Sequence, residues 1–200
     1  VVLMNASREY TRGVSLERTL DHWAATLADP GFRAVVIANA DDPAVVAVTE
    51  PLAADERVIW VAGGLEWRED GRLCRRCGSQ VHWPHEGTAE WSCSGCGLSR
   101  PAPHWQLVDG AIHGPGAATA RVTVPAPGRW LASNALFAVA AACAMGVPAD
   151  EAVEAATDVS DVDGRYRATA LDGRLVRLFL VKNPASWAEA VSLATESNAP

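Results

Sequence analysis

Residues 34–43 read Ala34-Val35-Val36-Ile37-Ala38-Asn39-Ala40-Asp41-Asp42-Pro43. The stretch opens on an uninterrupted apolar run, Ala34 to Ala38, typical of a parallel strand covered on both faces. Asn39 to Pro43 then supplies a polar turn. It places an Asp where a helix N-cap belongs and Pro at the first helical position, where a missing N–H costs nothing. A buried strand, a turn and a helix start are thus written one after another.

Working outward, the same rhythm appears on both sides. Val1 to Asn5 reads as a strand followed by a polar turn, Ser7 to Gly13. Leu16, Leu20, Trp23, Ala24 and Leu27 recur at helical spacing, and the helix they imply ends near Asp29-Pro30-Gly31. After Pro43 a short helix through Val48 is expected, then a buried strand from Arg57 to Ala62 closed by Gly63-Gly64. Alternating strands and helices predict an α/β domain with an open parallel sheet.

Residues 71–100 interrupt that rhythm. Cys74-Arg75-Arg76-Cys77-Gly78 and Cys93-Ser94-Gly95-Cys96-Gly97 are two C-x-x-C-G knuckles. Each puts two thiolates on one side of a tight turn, and the glycine lets the backbone fold back. Two knuckles brought together form the S₄ cage that Zn²⁺ prefers, so a zinc ribbon with Cys74, Cys77, Cys93 and Cys96 as ligands is expected. A disulfide pairing would need an oxidising compartment, which nothing in the sequence indicates. Four thiolates leave no open coordination position, so the expected zinc is structural. His82, His85 and His104 lie close enough to replace a ligand but are read as loop or surface imidazoles. Cys143, the remaining cysteine, is read as a small core residue.

Beyond the ribbon, Trp105 to His113 and Thr119 to Val124 read as a strand pair joined around Gly114-Pro115-Gly116. Trp130 to Met145 is an Ala-rich helix stopped by Gly146, and a second helix runs from about Ala149 to Thr157. A boundary is placed near 158–163, giving one domain over 1–157 and the start of a second over 158–200. The second begins with strands Arg165 to Leu171 and Leu175 to Val181, turning at Asp172-Gly173, and continues into a helix capped by Asn183-Pro184.

Composition limits the function. The net charge of −7 disfavours general binding to nucleic acid or anionic membrane. Arg72, Arg75, Arg76 and Arg100 with Trp83 and Trp91 suit a nucleic-acid-binding ribbon, but Glu86 and Glu90 dilute their charge. Lys182 is the single lysine beside sixteen arginines, a bias most simply ascribed to a GC-rich genome. A G-x-x-x-x-G-K-[ST] phosphate loop needs a lysine, so no such loop precedes residue 182. No stretch approaches the roughly eighteen apolar residues that would span a membrane. Val1 to Asn5 has neither the basic n-region nor the cleavage site of a signal peptide, and is expected to continue a longer chain.

Several of these segments together resemble the Mur ligases. Asn39-Ala40-Asp41-Asp42-Pro43, Ser133-Asn134-Ala135-Leu136 and Gly164-Arg165-Tyr166 are similar to parts of their central domain. Lys182-Asn183-Pro184-Ala185, with Trp187 and Glu189-Ala190, resembles the opening of their C-terminal domain. A four-cysteine ribbon inserted in the central domain is similar to the MurT type of subunit in lipid II isoglutaminyl synthases. The order is kept along essentially the whole chain.

The resemblance implies a cytoplasmic, ATP- and Mg²⁺-dependent ligase subunit. It would activate the D-glutamate α-carboxyl of the lipid II stem peptide as an acyl phosphate. Ammonia from a GatD-type glutamine amidotransferase partner would then convert it to D-isoglutamine during peptidoglycan biosynthesis. By the same resemblance, Asn134 falls where the adenine ring is contacted, Arg165 near ribose and phosphates, and Lys182 and Asn183 at a turn facing the cleft. An amide can pair with adenine's donor and acceptor edge, and a guanidinium fork suits phosphate. Read from the residues alone, Asn134 and Asn183 also serve as helix caps and Arg165 as a surface strand residue. Asp41 and Asp42 are assigned to the turn and its cap, and catalytic residues are not assigned.

The chain departs from that pattern in three places. The phosphate loop and most of the C-terminal domain are absent from these residues, so they are not expected to catalyse alone. The segment usually reading Arg-Asp-Gln-Leu-Asp-Arg in MurT-like chains is here Arg8-Glu9-Tyr10-Thr11-Arg12-Gly13. Only Arg8 and, by charge, Glu9 remain comparable. A paralogue acting on another carboxylate, or a non-catalytic zinc-ribbon scaffold, would carry such a change.

Overall fold

The computed structural model describes residues 1–5, 15–68, 71–85, 89–116, 120–121, 128–158, 166–181, 187, 190–192 and 194–195. Its first half is the alternation written around residues 34–43. Strand β1 (Val2–Leu3) leads to helix α1 (Leu16–Leu27), strand β2 (Val36–Asn39) to helix α2 (Pro43–Thr49), and a 3₁₀ segment (Glu50–Asp55) to strand β3 (Val58–Ala62). Ser15 caps α1, its hydroxyl accepting from Arg18 N at 3.2 Å. Asp42 caps α2 as expected, accepting from Ala44 N at 2.8 Å, with Pro43 in the first turn. Such a cap stabilises a helix by about 1 kcal/mol, and α2 is short enough to need it.

Two short strands, β4 (Val81–His82) and β5 (Ser92–Cys93), form their own antiparallel pair inside the ribbon. The main sheet resumes with β6 (Trp105–Val108), β7 (Ala111–His113) and β8 (Ala120–Arg121), in the order β1-β2-β3-β6-β7-β8. β1, β2, β3 and β6 are parallel, with Val2 opposite Ile37, Ile37 opposite Ile59 and Val61 opposite Trp105. β7 and β8 are antiparallel, so the sheet is mixed rather than wholly parallel.

The expected single strand from Trp105 to His113 is in fact a hairpin. Asp109 (φ 50°) and Gly110 (φ 76°) both take the left-handed conformation, as a tight two-residue turn between twisted strands requires. The turn around Gly114-Pro115-Gly116 joins β7 to β8. Of the expected strand 119–124, residues 120 and 121 are β8 and the rest lie outside the described residues.

Period-two alternation divides the core into two layers. Leu3, Val36, Ala38, Val58, Trp60 and Ala62 face α1 and α2. Met4, Ile37, Ile59, Val61, Trp105 and Ile112 face the other way, against helix α3 (Arg129–Ala144) and helix α4 (Ala149–Thr157). Near-continuous apolar strands are the mark of a sheet covered on both faces.

A separate antiparallel pair, β9 (Tyr166–Leu171) and β10 (Arg174–Phe179), turns at Asp172 (φ 49°) and Gly173 (φ 74°). This is the hairpin expected at the start of the second domain. Among the described residues no helix is long and apolar enough to cross a membrane.

Candidate metal centre

The two knuckles repeat one backbone pattern. In the first, Gly78 N donates to Cys74 O at 2.7 Å and Cys74 N to Ser79 O at 2.8 Å. In the second, Gly97 N donates to Cys93 O at 3.2 Å and Cys93 N to Leu98 O at 2.7 Å. Gly78 (φ 74°) and Gly97 (φ 73°) take the left-handed turn that carries each chain back, which a Cβ would strain. β4 pairs with β5, Val81 opposite Cys93, and brings the knuckles face to face.

All four sulfurs then lie within 4.8 Å of one another. Cys74 Sγ is 3.7 Å from Cys96 Sγ, and Cys77 Sγ is 3.4 Å from Cys93 Sγ. A disulfide would hold its sulfurs about 2.05 Å apart. Sulfurs at the corners of a tetrahedron around one Zn²⁺ would be about 3.8 Å apart, from a Zn–S length near 2.3 Å. The cluster therefore has the spacing of a metal cage with reduced thiols. Packing between the knuckles is close: a Cβ on Gly95 would meet Ser79 Oγ at 2.1 Å and Cys77 Sγ at 3.1 Å.

The thiols differ in their surroundings. Burial pushes the Cys74 thiol up to about 12, although the N–H groups of Arg76 and Cys77 point at its sulfur. The exposed Cys77 is pulled down to about 6, chiefly by the Ser79 hydroxyl. Gly95 N also donates to Cys93 Sγ at 3.4 Å. Amide donors aimed at sulfur favour the thiolate form that a metal needs.

The neighbouring histidines have other places. His104 Nδ1 accepts from Trp60 N at 2.9 Å, and His104 N donates back to Trp60 O at 2.8 Å. That exchange closes the base of the ribbon against β3. His82 is exposed on β4, and the metal-competent cluster among the described residues contains the four cysteines without any histidine.

The ribbon is built into the domain. Cys74, Val81, Trp91, Cys93 and Leu98 belong to the same core layer as α1 and α2. The first knuckle meets that helical layer: Arg75 pairs with Asp21 of α1 at 2.5 Å, and Arg76 lies 3.9 Å from Glu50. The second meets the carboxyl edge of the sheet. Trp91 Nε1 donates to Ala40 O at 3.1 Å, and Arg100 Nε donates to Asp41 Oδ1 at 2.9 Å. Of the four arginines that would face a phosphate backbone in a free nucleic-acid ribbon, Arg75, Arg76 and Arg100 are each within ion-pair distance of a carboxylate of this chain.

Asp41 is more than a turn residue. It is 1% exposed, and its Oδ2 accepts from Gly64 N at 2.8 Å and Leu65 N at 3.3 Å. Burial pushes its carboxyl above the ordinary range, against the pull of Arg100 and the two amides. Asn39 completes the junction, donating from Nδ2 to Met4 O at 2.7 Å and accepting from Asp41 N at 2.9 Å. The ends of β1, β2 and β3 are thus tied together at the edge where open α/β sheets receive ligands.

Sequence comparison matches this chain to no protein-family model and to no curated protein. Of the residues assigned to nucleotide, Asn134 lies exposed on α3. Gly128 holds the N-cap of that helix, so Asn134 is not a capping residue. Arg165, Lys182 and Asn183, like the segment from Arg8 to Gly13, lie outside the described residues. Cys143, half-buried on α3, is raised by burial and packs against the second core layer, remote in sequence from the cluster.

Proposed function

We propose that the four cysteines hold a structural Zn²⁺, and that the chain is the ribbon-bearing part of a MurT-like subunit of an ATP-dependent amide-forming ligase. The observation that carries the reading is where the ribbon sits. A four-cysteine ribbon leaves an α/β sheet after one parallel strand, β3, and returns as its parallel neighbour, β6. The sequence motifs that resemble the Mur ligases stand around it in the family's order.

On this reading the metal supplies folding energy and no open coordination site. Asn134, exposed on α3, contacts the adenine of ATP, and Arg165 serves its ribose and phosphates. Lys182 and Asn183 stand at the turn facing the nucleotide cleft, with Mg²⁺ as the nucleotide's metal. The phosphate loop is supplied by sequence outside these 200 residues. A GatD-type amidotransferase delivers ammonia, and the activated carboxyl belongs to lipid II at the inner membrane face. The diverged segment from Arg8 to Gly13 favours one second reading, a paralogue with a different carboxylate acceptor.

The test combines the longest product of the gene with its candidate amidotransferase, ATP, glutamine and lipid II, followed by mass spectrometry. Conversion of the lipid II carboxyl to an amide is expected, and Arg165→Ala is expected to depress it. ATP hydrolysis stimulated only by other carboxylates would favour the paralogue. Absence of ATP turnover under every condition would overturn the ligase reading.

A further inference from the structure

Trp91 and Arg100 stand opposite each other across the stem of the second knuckle. Arg100 N donates to Trp91 O at 3.0 Å, and Ser92 bridges Ser99 one step nearer the cysteines. Both side chains leave this stem toward adjacent residues of one turn, Trp91 to Ala40 O and Arg100 to Asp41. Asp41 in turn receives the amides of Gly64 and Leu65, which follow β3. A continuous chain of hydrogen bonds therefore runs from the Cys93–Cys96 knuckle to the ends of two central strands. The first knuckle is anchored elsewhere, on Asp21 and Glu50. Besides the metal cage, the two halves are joined by the two-residue pairing of β4 with β5, by Ser94, whose N and Oγ donate to Gln80 O at 3.3 and 3.1 Å, and by the packing of Gly95 on Ser79.

We infer that metal occupancy of the four cysteines sets the position of the sheet-edge turn 39–42 and of the loop 63–65, with Trp91 and Arg100 as the positioning residues that transmit it. The inference rests on the metal reading but is separate from the ligase reading. Without the cage the stem is held to the first knuckle by these weaker ties, and Ala40 O and the Asp41 carboxyl lose fixed partners. The ligand-receiving edge of the sheet is then formed only when the ribbon is loaded. Coupling of this kind is reciprocal: a ligand that orders the turn tightens metal retention.

The amides of Gly64 and Leu65 report directly on Asp41, so their hydrogen exchange tests the coupling. The protein is loaded with Co²⁺, whose thiolate charge-transfer bands certify the site, and exchange is followed by NMR before and after chelation. Exchange at Asp41, Gly64 and Leu65 is expected to quicken about tenfold on metal removal, as loss of a charge-assisted bond allows. The amide of Val36, bonded to Arg57 O at the opposite edge, should change far less. Metal-loaded Trp91→Phe and Arg100→Met should quicken the same amides with the cobalt bands intact. If chelation unfolds the whole chain, these two loaded variants decide the matter. Cobalt bands with unchanged Gly64 and Leu65 amides would overturn the inference and leave metal binding standing. Absence of the bands would overturn both.

Discussion

Gly63, just past β3, and Ser133, on α3, approach so closely that a Cβ on the glycine would lie 2.2 Å from the Ser133 hydroxyl and 2.7 Å from its Cβ. The long helix crosses the sheet at this point, and glycine is what lets it settle. Gly63→Ala is expected to cost about 1–3 kcal/mol by overpacking, read from urea unfolding. Ser133→Gly should restore part of that loss. At the adjacent Gly64 (φ 72°, with nothing near its missing Cβ) alanine costs about 1–2 kcal/mol through backbone strain alone. Ser133→Gly should not rescue it.

The cysteine cluster should bind one metal ion per chain. Replacing Cys93, buried at the base of the second knuckle, by Ser should abolish stoichiometric binding and lower the melting temperature, because a structural site contributes its binding energy to folding. Cys143→Ala should leave the stoichiometry unchanged. Metal analysis by mass spectrometry together with thermal melts checks both.

Metal affinity should rise with pH. The metal-free chain carries protons on thiols that the loaded chain must release, so acid competes with the metal. With the Cys77 thiol lowered to about 6, that site is already largely thiolate at pH 7.5 and releases little. Fewer than four protons should therefore be displaced there. Ser79→Ala removes the hydroxyl that lowers Cys77 and should increase the number released. Calorimetry in buffers of different ionisation enthalpy measures the count.

Asp41 and Arg100 form a buried pair, with the arginine side chain 12% exposed and also bonded to Glu90. Arg100→Met should cost about 3 kcal/mol by stranding the carboxylate. Adding Asp41→Asn should recover much of the loss, since an amide oxygen still serves the Gly64 and Leu65 amides. The pH dependence has a definite sign. A carboxyl raised in the folded state favours folding below its unfolded value, and that contribution is lost as pH rises through the folded value. Arg100→Met removes a group that pulls it down, so its stability should fall more steeply toward neutral pH. Denaturant melts across the acid range would show this, and Asp41→Asn should flatten the curve.

What could be read from the sequence was local chemistry. The extent of α1, the Asp42 cap with Pro43 behind it, the Asp172-Gly173 turn and the four cysteines each depend on neighbours a few positions away. Asp109-Gly110 carries the same turn signal as Asp172-Gly173. It is masked by the apolar residues around it, which read as one strand from Trp105 to His113. Asp41 shows the other limit. Its partner Arg100 lies 59 positions on, within a segment whose cysteines draw the eye, and the doubled Asp before Pro43 is satisfied by a single cap. Trp91 and Arg100 likewise read as surface candidates for nucleic acid, because their acceptors lie in a turn 51 and 59 residues earlier.

The placement of the ribbon between adjacent parallel strands bears on how the chain reaches its fold. Trp60 and His104, which bond each other across the β3–β6 seam, are 44 residues apart. Closing so long a loop is entropically uphill until strand contacts form, and distant pairings slow folding. A ribbon that condensed first around a metal at the four cysteines would shorten the effective loop and present β6 beside β3. With a metal bound there, folding would become a two-stage assembly whose timing depends on metal supply. A chain synthesised in metal shortage would pause with the edge of β3 unpaired, the arrangement most prone to sticking to another chain.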